Sequence, residues 1–484
     1  MPNLYLRRPP WHWIVGWLTA IVAVMVAVAV LNVGSPRAVV LVAGLVCLVV
    51  GVYVVAAHPA LVRNAMAVLL GAAPFARFPV FPAPVLVALG GGVVLAALLH
   101  RPAVTRVSTL EAAVAVLVVV SALSVYPNAV GGIDLLQFSE WLIATAVMFA
   151  LLRLPVEQLA TVGRMFTYGA AAGAVYGLIH LYAAEAGPVT QVLMVLGYTP
   201  QADTGRYVFT EDAVVSRLAG SFIDPNAAGI FLFVALLVCI VTVSGPRRWV
   251  LAAVIGVGLT LTLSRAAFFS VVVGVVLVLL FQRMDTGRRV ATMGAAVIAA
   301  ALILTVPRIR DRIGTSFGAQ DIGSSARSEA FAHYPTVMDG HWLFGLGWGR
   351  PEFFDADAAF ETNVVANSPL LAVYRGGIFT GLAFCLVLVI GVAVSYRCLR
   401  STRWECGIVG GGFIGFTLVA LQLDYPVVTI PQVTLSFSVL LTFLMYAQRA
   451  AEEMGVRGAT SLPGDPRTPP HATLTGTAGS DARE

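Results

Sequence analysis

Long apolar runs separated by short polar clusters set the pattern of this chain. A helix that crosses a bilayer needs about 20 mostly apolar residues. Runs of that kind begin near Trp13, Val39, Pro84, Leu110, Leu135, Val162, Ala227, Trp249, Ala266, Val290, Gly377, Ile408 and Val427. One further stretch, NAMAVLLGAAPFARFPVF from Asn64 to Phe81, is short and interrupted by Pro74 and Pro79. Arginine positions decide whether it counts. If it crosses, Arg7-Arg8, Arg63, Arg101/Arg106, Arg153, Arg247-Arg248, Arg283/Arg288-Arg289, Arg397/Arg400/Arg403 and the tail from Arg449 all share one side. If it does not, every later cluster changes side and the bias reverses. Basic residues accumulate on the cytoplasmic side of membrane proteins, so the short stretch is read as a crossing, bent at its prolines. The pattern predicts an all-α polytopic helical membrane protein with about 12–14 transmembrane helices and both termini cytoplasmic.

On this topology two outer loops stand out, at about residues 184–225 and 307–367. Residues 1–451 form the expected membrane domain. The tail 452–484 is rich in Gly, Pro, Thr and Ser, has no apolar periodicity and is expected to be disordered and cytoplasmic. The run from Trp13 to Leu31 has no small-residue cleavage site after it and reads as a retained helix rather than a signal peptide.

Composition changes the picture little. Of 484 residues, 58% are hydrophobic and 11% charged, against about 25% charged in a soluble domain. The chain has no lysine, so its basic side chains other than histidine are arginines. The arginines lie in short clusters between apolar runs, which is topology sorting and not a nucleic-acid surface. The five cysteines, Cys47, Cys239, Cys385, Cys398 and Cys406, fall in or beside helices without metal-ligand spacing. Neither a disulfide nor a metal site is expected.

Candidate chemistry begins with Arg265, the one charge between Trp249 and Phe281. The run is long enough for two short helices, with LSR at the turn between them near the outer surface. Arginine at the bilayer centre costs at least about 2.5–3.5 kcal/mol. Two readings stand: Arg265 faces an interior cavity and binds an anion, or it snorkels from a tight turn to the headgroups. Other outer arginines favour the anion. The first long loop ends in SRLAGSFIDPNAAG, where Arg217 precedes a helix start at Asp224-Pro225-Asn226. The second holds Arg308, Arg310, Arg312, Arg327 and Arg350. Guanidinium forks match phosphate oxygens bidentately, which makes a pyrophosphate the natural ligand.

The pieces RLAGSFIDPNAAG, TLSRA, ARSEAF…GLGWG and ETNVVANSPLLAVYRGGIFTG, in this order, resemble the O-antigen ligase and O-antigen polymerase superfamily of bacterial membrane glycosyltransferases. They span roughly residues 217–381. The resemblance implies a plasma-membrane enzyme that moves a glycan from undecaprenyl pyrophosphate, on the outer face, to a hydroxyl of a glycan or lipid-anchored acceptor during cell-surface polysaccharide assembly. It implies an inverting, metal-independent reaction with no cofactor. Arg217 and Arg265, with Arg327 as a third, would hold the pyrophosphate, while Asp224, Asn226 and Asn367 would support the motifs. Fixed cations stabilise the charge growing on such a leaving group.

The sequence departs from the family where ligases carry His-Asn, for it has Ala366-Asn367. Alanine takes no proton. Another base can serve, among His333, His341, Asp339, Glu361 and Asp424. A base can also matter little, being worth about 10²–10⁴-fold. Or the chain is a polymerase-type relative, or a non-catalytic member of an assembly complex. A flippase for the same lipid-linked glycans is the alternative function; transporters of that kind show repeated halves, absent here. The first outer loop, NVGSPR, lacks the acidic pair of polyprenyl-monophosphate-dependent transferases. GLGWGR reads as a turn with close backbone packing, and Glu140 as an acid that needs a partner.

Overall fold

The computed structural model describes residues 36–78, 83–128, 131–182, 207–209, 214–222, 224–305, 322–350, 367–422, 427–428 and 430–460, with isolated residues at 19–28 and 310. The chain is an all-α, multi-pass helical membrane protein. Its helices are α1 (Pro36–Ala57), α2 (Pro59–Ala72), α3 (Val85–Leu99), α4 (Thr109–Asn128), α5 (Gly132–Leu152), α6 (Val156–Tyr182), α7 (Pro225–Thr242), α8 (Pro246–Leu261), α9 (Arg265–Phe281), α10 (Thr286–Leu304), α11 (Ile322–Val337), α12 (Ser368–Leu399), α13 (Trp404–Leu418) and α14 (Pro431–Thr460). A 3₁₀ turn covers Ala420–Gln422. A small antiparallel hairpin pairs β1 (Tyr207–Phe209) with β2 (Val214–Ser216), Val208 opposite Val215.

Local chemistry sets the helix starts. Proline opens α1, α2, α7, α8 and α14, where its missing N–H has no partner to lose. Asp224, Ser264 and Asn367 cap α7, α9 and α12 by accepting from Ala227, Ala267 and Leu370. Ser108 and Glu111 form a reciprocal capping box on α4, at 2.8 and 3.2 Å.

Among the described residues, six helices are long and apolar enough to cross a membrane by themselves, or seven if the bent pair α1–α2 is one span. The expected twelve to fourteen crossings therefore depend on shorter helices. Four of these, α2, α3, α8 and α9, have 14, 15, 16 and 17 residues. At 1.5 Å per residue they reach about 21–26 Å, short of a hydrocarbon core about 30 Å thick.

Three boundaries differ from those the sequence predicts. The Asn64–Phe81 stretch is helical only as far as Ala72; residues 74–75 turn, and Arg77 bridges to Pro84. Pro74 cannot continue the helix. Instead the helix begins earlier, at Pro59, after a 109° bend from α1. The run expected from Gly377 begins at Ser368, because Asn367 caps it, and Gly377 is where it breaks. At the other end, α14 continues past residue 451 to Thr460.

Contacts between helices divide the bundle into two ends. At one end Arg63 reaches Gln158 at 3.0 Å, Arg449 the Leu152 carbonyl at 3.1 Å, Arg403 the Ala450 carbonyl at 3.4 Å, and Arg248 pairs with Glu405 at 3.2 Å. Arg153 there pairs with the fully buried Glu111. At the other end Ser221 donates to the Ala72 carbonyl, and Gly349 N–H donates to Asp134 at 2.6 Å. The short helix α2 thus runs from one end to the other. It lies tightly on α6, where a side chain at Gly71 would collide with the Phe166 carbonyl; small residues let membrane helices approach this closely. Helices α7 and α14 form the buried centre.

The break in α12 is filled by a loop. Gly377 has φ 79°, a left-handed value, and its neighbours' backbone groups pair outside the helix: Ile378 N–H donates to Trp342 O at 2.8 Å and Leu346 N–H to Tyr374 O at 2.8 Å. A Cβ on Gly377 would collide with the Leu343 carbonyl. Gly377→Ala is expected to destabilise the fold by at least about 1–3 kcal/mol, from backbone strain alone, read as a lowered unfolding midpoint in detergent. Gly340→Ala, also at positive φ but in open space, serves as the milder comparison.

Candidate functional site

The end of the bundle away from the arginine clusters gathers three helix N-termini. Helix α8 stops at Leu261 because Thr262 folds back, its hydroxyl donating to Leu259 O at 2.6 Å and accepting from Ser264 N–H at 3.2 Å. Leu263 between them is left-handed, with φ 51°. The chain reverses, Ser264 caps α9, and Arg265 is its first residue, half-buried. Arg265 therefore sits on the turn of a helical hairpin and not along the middle of a span.

Arg217 lies against the same turn. Its side chain is buried. Nε donates to the Thr262 carbonyl at 2.9 Å and Nη2 to Asn226 Oδ1 at 2.7 Å. The backbone is tied as well, Leu218 N–H donating to Leu261 O at 2.9 Å. Asp224 and Asn226, two residues apart, do different work: Asp224 caps α7 at 2.8 Å, while Asn226 holds Arg217. Helix α7 approaches so closely that a Cβ at Gly229 would fall 2.6 Å from Ser264 Cβ.

The third N-terminus is that of α12. Asn367 caps it at 3.1 Å and its amide donates to Gln422 Oε1. The 3₁₀ turn carrying Gln422 packs on α9, α12 and α13. The starts of α7 and α9 thus meet at the buried Arg217 beside Arg265, and the Asn367–Gln422 contact ties the start of α12 to a turn that packs on α9. Helix N-termini carry partial positive charge, offset at α7 by the Asp224 carboxylate, and together with Arg217 and Arg265 they favour an anion with several oxygens.

Beside it, helix α11 and the loop 341–350 dock on α12. Tyr334 donates to Leu370 O at 2.9 Å, and burial raises its phenol well above the usual range, so it remains a donor. The GLGWGR loop is held from three sides. Asn128 donates to Phe344 O at 2.6 Å, Asp134 accepts from Gly349, and Arg375 Nη1 donates to the carbonyls of Gly347, Trp348 and Arg350. Trp348 is buried against Trp141, ring centroids 4.7 Å apart. The glycines allow close backbone packing: Gly345 and Gly347 have φ 74° and 103°.

The remaining sequence candidates scatter. Arg327 lies within α11. His333, Asp339 and His341 are exposed on α11 and the turn after it. Glu361, Ala366 and Asp424 lie outside the described residues, as do Arg308 and Arg312. Glu140 is half-buried within electrostatic reach of Arg77. Among the described residues, no three His, Cys, Asp or Glu side chains group as metal ligands.

Sequence reasoning passed over Arg375, although the same signal that marked Arg265 was present, a lone charge in an apolar run, beside Gly376-Gly377. It also passed over Thr262 and Gln422, whose local sequence carries no sign of their partners. Neither a family model nor a curated protein matches the chain.

Proposed function

We propose that this protein is an outer-face glycan transferase of the plasma membrane, ligating or polymerising glycans carried on a polyprenyl pyrophosphate for cell-surface polysaccharide. The observation that carries the reading is Arg217 anchored on the turn that starts α9 at Arg265 and on the start of α7, with the start of α12 tied in through Gln422. It supplies fixed donors where a pyrophosphate leaving group gains charge, which is how such a group is stabilised without reorganisation. Two further points support it: the described parts of the four family-like sequence pieces lie at this one end, and the end is opposite the arginine clusters that topology sorting assigns to the cytoplasm. In this reading Arg217 and Arg265 bind the pyrophosphate, with Arg327 on the adjoining helix. The acceptor is a sugar or lipid-core hydroxyl, and the reaction is inverting and metal-independent.

The test uses a deletion strain complemented with wild type or Arg265→Ala, with polyprenyl-linked glycans compared against finished surface glycan. Loss of finished glycan, outward-facing precursor and no rescue by Arg265→Ala are expected. Inward-facing precursor would identify a flippase instead, and unchanged pools would remove the reading altogether. Residual chain length separates polymerase from ligase.

A further inference from the structure

The arginine-rich end carries a surface that the proposed reaction does not use. The turn after α9 and the turn after α12 are locked together by Gln282, whose Nε2 donates to Ser401 O at 2.8 Å and Arg403 O at 3.2 Å. Gly407 of α13 leaves the space that the Gln282 side chain fills, since a Cβ there would collide with its Oε1. Phe281 meets Tyr396 edge-on at 6.2 Å. Alongside, Trp249 stacks on Trp404 at 5.8 Å, and Arg248 lies over the Trp404 ring at 5.0 Å.

These joins bring arginines from separate helices onto one surface. Arg247, Arg283, Arg288, Arg289, Arg397 and Arg400 are all exposed there. Among the described residues, two of the three acids facing them are paired with arginines. Glu405 pairs with Arg248 at 3.2 Å and Arg403 at 3.8 Å, Asp285 with Arg288 at 3.2 Å, and Glu452 accepts from Gln448 at 2.8 Å. The surface keeps a large positive excess.

We infer that this surface is a binding site for anionic phospholipid, its phosphodiester taken by the arginines flanking the Gln282 join, Arg283, Arg397 and Arg400. Exposed aromatic residues lie at the same level, Trp249, Phe281 and Tyr396, with exposed Val250 and Leu280 as their chain neighbours. Aromatic rings beside arginines mark the headgroup level of a bilayer, and basic pockets between membrane helices take anionic headgroups. A soluble acidic protein or a nucleic acid would need the charge without the apolar flank.

The test uses the full chain in nanodiscs containing phosphatidylcholine with or without phosphatidylglycerol, and reads retained lipids by native mass spectrometry. Wild type is expected to retain phosphatidylglycerol selectively. The variant Arg283→Gln/Arg397→Gln/Arg400→Gln is expected to bind it at least about tenfold more weakly, with unchanged melting in phosphatidylcholine alone. Arg101→Gln/Arg106→Gln, at the same end but away from the join, is expected to behave as wild type. Equal loss in that second variant would mean diffuse attraction and overturn the site. So would equal retention of the two lipids by wild type, or saturable binding of a polyglutamate peptide that displaces phosphatidylglycerol, the mark of a protein partner.

Discussion

Arg217→Ala is expected to lower transfer from a polyprenyl-pyrophosphate-linked glycan by about 10²–10³-fold, the usual cost of removing one fixed donor from a developing negative charge. The measurement is turnover by the full-length protein in nanodiscs, with the donor lipid supplied. The expectation rests on how Arg217 is held. Two of its nitrogens are spent on Thr262 O and Asn226 Oδ1, so the guanidinium plane is set before any substrate arrives. Arg217→Lys keeps the charge but lacks the planar fork, so it is not expected to restore the rate. Asn226→Ala leaves the cation and removes one of its anchors; the loss there is about tenfold. Wild-type turnover in Arg217→Ala would remove Arg217 from the site. Equal losses for Asn226→Ala and Arg217→Ala would mean that the cation acts only through its support.

The largest expected effect on stability is at the opposite end. Arg153→Ala is expected to cost about 3–5 kcal/mol, because it leaves a buried carboxylate without its cation. Glu111 is 0% exposed while Arg153 is 21% exposed. Water therefore reaches part of the pair, which places the loss toward the lower figure. Arg153 Nη1 also joins α5 to the segment before α4 through the carbonyls of Val104 and Arg106, each at 3.2 Å, and those acceptors lose a donor as well. Denaturant unfolding in detergent checks the value. The pair Glu111→Gln/Arg153→Met is expected to recover most of it, since an uncharged replacement of both partners carries no unpaired charge. If Arg153→Ala unfolds at the wild-type midpoint, the pair contributes nothing net.

Much of the architecture was legible along the chain. Apolar runs mark nearly every described spanning helix, and Pro, Ser, Asp and Asn mark where they start, because capping is a contact between residues three apart. Side-sorting of arginine was legible too: the contacts among Arg63, Arg153, Arg248, Arg403 and Arg449 place these residues at one end. The Asn64–Phe81 stretch shows the limit. Its role as a connection between the two ends could be read from charge, but its boundaries depended on a bend before Pro59 and a turn at Pro74.

The sequence by itself determined that this is a helical membrane protein and where most helices begin, and it pointed to Arg217 and Arg265 as cations of one end. Only the tertiary structure decided what holds them. Arg217 and Thr262 are 45 residues apart, Asn367 and Gln422 are 55, and Asn128 and Phe344 are 216. Helix periodicity reports contacts three or four residues away and is silent on these. Asp224 reads locally as the cap because Pro225 follows it, but that Asn226 turns toward Arg217 is a contact the local pattern does not carry. The break at Gly377 belongs to the same class. Two adjacent glycines permit it, but a helix opens there only because the loop 342–346 supplies the hydrogen bonds that the opened turn gives up.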